Sequence, residues 1–155
     1  MSTAHDGTQV EQEIYRMLTK TFILLDDCDR RFFAEYGLST RQFWALQHLD
    51  SERGCSMVDL SRVLFTDKSN VTGIVDRLER LELVTRTTDP RDRRVILVTL
   101  TPAGQQLRDK VSAQHADLIR QLIHVMSDAH LYALLDSLQT ISRSLENHLA
   151  AADTA

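Results

Sequence analysis

The chain has 155 residues, 43% apolar and 26% charged, with a net charge of −4. That apolar share excludes wholesale disorder, and two prolines with five glycines exclude a collagen-like or Pro-rich architecture. Apolar runs such as Phe22–Leu25 and Val95–Val98 are four residues long, against the roughly 20 that a bilayer-crossing helix needs.

Residues 1–8 are polar, lack the basic start and apolar core of a secretion signal, and read as a loose tail. A helical period follows from Val10 to Tyr36, with Ile14, Leu18, Thr21, Phe22, Leu25, Cys28 and Phe32 forming one stripe. Gly37 stops that helix. Ser39, with Gln42 three residues on, forms a capping box for a second helix whose inner face is Phe43, Leu46 and Leu49. Ser56 caps a short third helix whose apolar face is Met57 or Val58, Leu60, Val63 and Leu64. Thr66 or Asp67 caps a fourth, Lys68 to Leu81, in which Val71, Ile74, Val75, Leu78 and Leu81 fit the i, i+3, i+4, i+7 template.

The period then changes. Residues 83–88 and 95–100 are rich in β-branched side chains, and Asp89-Pro90-Arg91-Asp92-Arg93-Arg94 lies between them, so the segment reads as a hairpin with an arginine-rich tip. Thr101-Pro102 opens a helix to about Met126. Ser127 or Asp128 caps a last one, where Leu131, Leu134 or Leu135, Leu138, Ile141 or Ser142, Leu145 and Leu149 approach a heptad seam. Residues 151–155 read as a second tail.

Charge is uneven along the chain. Residues 1–54 carry 6 basic and 9 acidic side chains, residues 55–100 carry 8 and 7, and the remainder 4 and 6. A nucleic-acid contact therefore belongs in the middle third, where Arg86, Arg91, Arg93 and Arg94 face only Asp89 and Asp92 by sequence; the plain alternative is a solvated loop. Short helix, break, amphipathic helix, hairpin is the order of a winged helix-turn-helix. The second helix of the pair must bury one face to be held and keep the other small and polar to enter a major groove. Ser69, Asn70 and Thr72 supply short hydrogen-bonding groups at its start, and Lys68 and Arg77 reach phosphates or guanine.

The block DLSRVLFTDKSNVTGIVDRLERLELVTR, then DPRDRR, then VTLTPAGQQL resembles the MarR (multiple antibiotic resistance regulator) family of bacterial transcription factors. Gly37–Gln42 resembles that family's opening of its second helix, and Asp89, Arg91, Asp92 and Arg94 meet its hairpin pattern without departure. The resemblance implies a mainly α fold with a small β-hairpin wing. It implies a winged helix-turn-helix over residues 37–101 and a helical dimerisation region over 9–36 and 102–150, using Leu18, Leu138, Ile141 and Leu145. It also implies a wing oriented by Asp92 paired with an Arg, with Arg93 or Arg94 at the minor groove and Arg91 beside them. The implied function is a homodimeric, sequence-specific DNA-binding regulator, a repressor by family habit, released from a pseudo-palindromic operator by a small aromatic or anionic ligand.

Tyr36, Phe43, Trp44, His48 and Phe65 cluster near the junction where such a ligand pocket lies; their alternative role is packing. Redox sensing is a rival trigger. Cys28 reads as a core thiol on the first helix's stripe, and Cys55 sits near a helix N-terminus that could lower its pKa, with an incidental cysteine as the favoured reading. Two cysteines are too few for a disulfide framework and fit a reducing, cytoplasmic compartment. No two of the six histidines stand at i, i+4, so no metal site is expected, and no cofactor motif is present. An enzyme is disfavoured by the absence of a phosphate loop or a Gly-x-Ser-x-Gly turn. A non-DNA-binding interaction dimer is the other alternative, one that would have no need of the wing arginines.

Overall fold

Helix ends set the layout. Ser39 caps α2 (Thr40–Gln47) through its side chain on the Gln42 N–H, and Gln42 returns the bond to the Ser39 N–H at 2.7 Å, completing the box. Ser56 caps α3 (Met57–Val63), and Asp67 caps α4 (Lys68–Arg80). The computed structural model describes residues 4–152; the expected tails over residues 1–3 and 153–155 lie outside the described residues. Residues 4–8, expected as tail, are instead the start of α1 (Ala4–Ala34), and Ala151 and Ala152 are the end of α6 (Asp128–Ala152). Between them run β2 (Val84–Thr88), β3 (Ile96–Leu100) and α5 (Pro102–Ile123).

A strand the period did not announce, β1 (Cys55–Ser56), pairs antiparallel with β3, giving the sheet order β1-β3-β2. Two residues are too few to show an alternation. Their position is set instead by a turn in which the Asp50 carboxylate accepts the N–H groups of Glu52 and Arg53 and Gly54 takes φ +65°.

The chain divides into two compact units meeting within α5, one up to Ala113 and one from Gln114. In the first, Phe33, Leu38, Phe43, Leu46, Leu60, Val71, Val75, Leu78, Val84, Val98 and Val111 make one buried core. Three of its turns close in the same way, with a left-handed residue after the helix and a bond from the next N–H back to the helix: Leu38 to Phe33, Thr66 to Ser61, Leu83 to Leu78. Gly37 serves this position without strain, but Phe65 (φ 49°) and Glu82 (φ 57°) are not glycines and carry it at a cost. Gly104 is required for another reason: a Cβ there would lie 1.9 Å from the Leu83 carbonyl oxygen. Thr101 fastens the same junction by donating to the Glu82 carbonyl and accepting the Gly104 N–H. In the second unit, α6 has no buried residue, and Tyr132, Leu135, Leu145 and Leu149 are exposed.

Candidate nucleic-acid interface

α4 buries Val71, Val75 and Leu78 and leaves its opposite face exposed at Ser69, Thr72, Gly73 and Arg80. At 100° per residue, Lys68 stands on one edge of that face and Asn70 and Arg77 on the other. The edges meet different neighbours. Lys68 lines a groove with Arg94, Val95 and Ile96 of the hairpin and Ser56 to Asp59. Arg77 lines one with Arg30, Gly37, Ser39 and Gln42. Neither Lys68 nor Arg77 has an ion-pair partner among the described residues.

The N-terminus of α4 is tied by one carboxylate. Asp67 accepts the Asn70 backbone N–H at 2.9 Å, the Asn70 side-chain amide at 2.7 Å and the Ser69 hydroxyl. These bonds, the Ser69 hydroxyl foremost, hold its carboxyl below the usual carboxylate range. A negative charge at a helix N-terminus is also favoured by the helix dipole. The remaining amide hydrogen of Asn70 points to the Thr66 hydroxyl at 3.2 Å, and the Thr72 hydroxyl donates to the Lys68 carbonyl at 3.0 Å. The sequence offers Thr66 or Asp67 as the cap; the structure assigns Asp67, and its grip on the neighbouring side chains is not encoded in any local pattern.

The hairpin tip is organised by two aspartates. Asp89 accepts the Arg91 N–H at 2.8 Å. Asp92 accepts the Arg94 N–H and then one edge of its guanidinium, through Nε and Nη2, at 3.0 Å each. That fork holds the Asp92 carboxyl below its ordinary value and pushes the Arg94 pKa up. The arginine Asp92 engages is thus Arg94, whose side chain stays 90% exposed. Arg91 and Arg93 are exposed and have no ion-pair partner among the described residues.

Arg86 departs from the sequence expectation that it faces only Asp89 and Asp92. It reaches from β2 to α4 and bridges Asp76 and Glu79, each at 2.6 Å. Its partners lie ten and seven residues upstream in another element, so no local pattern could pair them. Arg86 thereby ties the hairpin to α4 and neutralises two acids that would repel a polyanion.

The five aromatic-cluster residues separate. Phe43 is buried and stacks on Phe33 with centroids 4.3 Å apart, which is the packing role the sequence left open for it. Tyr36 is half-buried and packs on Phe32 at 5.2 Å. Trp44, His48 and Phe65 do line one cavity, of about 410 Å³, with Arg41, Val63 and Leu64. Phe65 is 95% exposed. Cys55 is half-buried, and burial together with Asp59 and Asp50 pushes its thiol pKa up, against the lowering expected from a helix start. Cys28 is also half-buried. Leu18 and Ile141 are half-buried, and Leu138 and Leu145 are exposed. Among the described residues no three of His, Cys, Asp and Glu gather to hold a metal ion, and no helix is long and apolar enough to cross a membrane.

Comparison with known proteins gives this geometry a context. The MarR family model matches residues 36–95. BadR, a transcriptional activatory protein of Rhodopseudomonas palustris, is 30% identical over 130 residues, covering 76% of this chain and 73% of that protein. Among solved structures, AbsC, a MarR family transcriptional regulator from Streptomyces coelicolor, superposes with a TM-score of 0.79 at 26% identity, over 89% of this chain and 95% of the other. BpsR of Bordetella bronchiseptica, whose DNA binding is regulated by 6-hydroxynicotinic acid, superposes with a TM-score of 0.73 at 26% identity, over 83% and 92%. A mostly helical chain with a three-stranded antiparallel sheet, carrying this helix pair and this hairpin, belongs to the MarR family of winged helix-turn-helix transcriptional regulators.

Proposed function

We propose that the chain acts in the cytoplasm as a homodimeric repressor, binds a pseudo-palindromic operator and is released from it by a small aromatic or anionic ligand. Residues 37–101 bind DNA; residues 9–36 and 102–150 form the dimer. Ser69, Asn70 and Thr72 meet base edges in the major groove, and Lys68 and Arg77 meet phosphates on its two sides. Arg91 and Arg93, with Arg94 held by Asp92, enter the flanking minor groove.

The observation that carries this reading is the pair of unneutralised edges around α4. Lys68 shares a groove with Arg94, Arg77 stands on the opposite edge, and the acids between them are already bridged by Arg86. A protein-interaction module has no use for such a rim. Dimerisation is supported by the apolar surface each unit leaves open: Phe22, Ile23 and Leu24 in α1, Leu135, Leu138 and Leu145 in α6. The ligand reading is supported by the cavity of about 410 Å³ bounded by Trp44, His48 and Phe65, a size that suits one small organic molecule, and by the ligand response of BpsR.

Gel-shift titration of genomic fragments tests the reading. Wild-type protein selects a few fragments, and Arg91→Ala with Arg93→Ala lowers the slope of log affinity against log salt by about 0.9 for each phosphate left without its arginine. An unchanged slope removes the wing from the interface, and the absence of any retained fragment at about 100 mM salt removes DNA binding. Because BadR is named for activation, a reporter placed behind the retained fragment decides the sign.

A further inference from the structure

The hydroxyl and amide side chains at the start of α4, those of Ser69, Asn70 and Thr72, have used up their donors. A serine or threonine hydroxyl has one hydrogen to give, and an asparagine amide has two. Ser69 gives its hydrogen to Asp67. Asn70 gives one to Asp67 at 2.7 Å and the other to the Thr66 hydroxyl at 3.2 Å. Thr72 gives its hydrogen to the Lys68 carbonyl at 3.0 Å. The assignment of the Asn70 amide is fixed by its partner, since an ionised carboxylate can only accept. What remains for a ligand is the Oδ1 of Asn70, the lone pairs of Ser69 and Thr72, and the Thr72 methyl.

We propose that the Ser69, Asn70 and Thr72 side chains of this helix form an acceptor-only reader, flanked by the cations Lys68 and Arg77: Asp67 fixes Ser69 and Asn70 so that they select the exocyclic amines of adenine and cytosine in the major groove. Those amines are the only hydrogen-bond donors a base pair offers there. The guanine N7 and O6, the adenine N7 and the thymine O4 are acceptors and would meet lone pairs on the protein. Turning Asn70 or Ser69 round to donate would break bonds to a charged acceptor, which are stronger than bonds between neutral groups. Asp67 is therefore a positioning residue, acting on the bases through its two neighbours. The Thr72 methyl adds an apolar contact suited to a thymine methyl. The inference rests on the DNA-binding reading above and refines it to the chemical groups that are read.

Base-analogue scanning tests it. A preferred duplex is selected from a random library with the full chain. Each adenine of its half-sites is then replaced in turn by purine deoxyriboside, which lacks the amine and keeps N7. A parallel series uses 7-deazaadenine, which keeps the amine and lacks N7. Cytosine is replaced by 2-pyrimidinone deoxyriboside, which lacks the amine. At the positions read by Ser69 and Asn70, removing the amine weakens binding about tenfold, and removing N7 changes it less than about twofold. Asp67→Ser keeps a capping oxygen for the helix but loses the carboxylate oxygen that holds the Asn70 amide. In that variant the amine penalty shrinks and an N7 penalty appears, while the far-ultraviolet spectrum stays that of the wild type. A defined site that tolerates amine removal, or loses as much on N7 removal, overturns the acceptor-only reader and leaves DNA binding intact. Failure to retain any duplex overturns both.

Discussion

Residues 37–101 and α6 use apolar side chains in opposite ways. In the first stretch Leu38, Phe43, Leu46, Leu60, Val71, Val75 and Leu78 are buried, and outside them Asp67, Asp92 and Arg86 tie neighbouring polar groups through a cap, a fork and a bridge. In α6 nothing is buried: Leu135, Leu138, Leu145 and Leu149 stand open over 25 residues. A helix with so much exposed apolar surface gains from being covered, at roughly 25 cal/mol for each Å² of apolar area removed from water. The first region is built to hold a polar surface rigid. The second is built to be covered, and a second copy of the chain is the partner proposed for it.

The comparison breaks most completely if the open surface of α6 is charged. Leu138→Arg with Leu145→Arg adds two cations to the face proposed to meet the partner. The expected result is a monomer in analytical ultracentrifugation and a loss of operator affinity of about a hundredfold or more, since one of the two linked half-sites goes unbound. A soluble dimer of unchanged affinity would show that α6 is covered by something other than its copy.

On the rigid side the largest effect is expected at Gly104. Its Cβ would sit 1.9 Å from the Leu83 carbonyl oxygen, a backbone atom with no rotamer to escape into. Gly104→Ala should cost about 3 kcal/mol in urea denaturation, the upper range for overpacking. Because this junction sets where α5 leaves the sheet, the loss should be accompanied by weaker DNA binding; a neutral result would mean that α5 can shift freely against β2.

The smallest effect has the opposite sign. Phe65 occupies a left-handed backbone position (φ 49°) that glycine adopts freely, and its ring is almost wholly exposed. Phe65→Gly should raise stability by about 1 kcal/mol. If the ring is kept for the cavity it shares with Trp44 and His48, the same variant loses ligand response while it gains stability. Unchanged release by the ligand would remove Phe65 from that site.

Much of this architecture is legible in the residues. The capping box at Ser39 and Gln42, the cap at Ser56, the periodic face of α4 and the Thr101-Pro102 helix start are each encoded within four residues of one another, where local chemistry decides. The features that escape are those decided by distant partners. β1 is two residues long and exists because β3 lies beside it. Arg86 turns from the tip to α4 because Asp76 and Glu79 are there to meet it. Cys55 lies at a helix start, yet burial and the acids Asp59 and Asp50 outweigh that influence. For the interface the sequence supplies the residues, and the coordinates supply which of their donors are already spent.

Hydroxyl-radical footprinting of the retained duplex tests the central claim most directly. Two copies of α4 on a common axis predict two equal protected patches about one helical turn, roughly 34 Å, apart, related by a two-fold axis, with minor-groove protection outside each from the Arg91 and Arg93 tips. A single patch without symmetry, or protection that survives unchanged in the Arg91→Ala, Arg93→Ala variant, would contradict it.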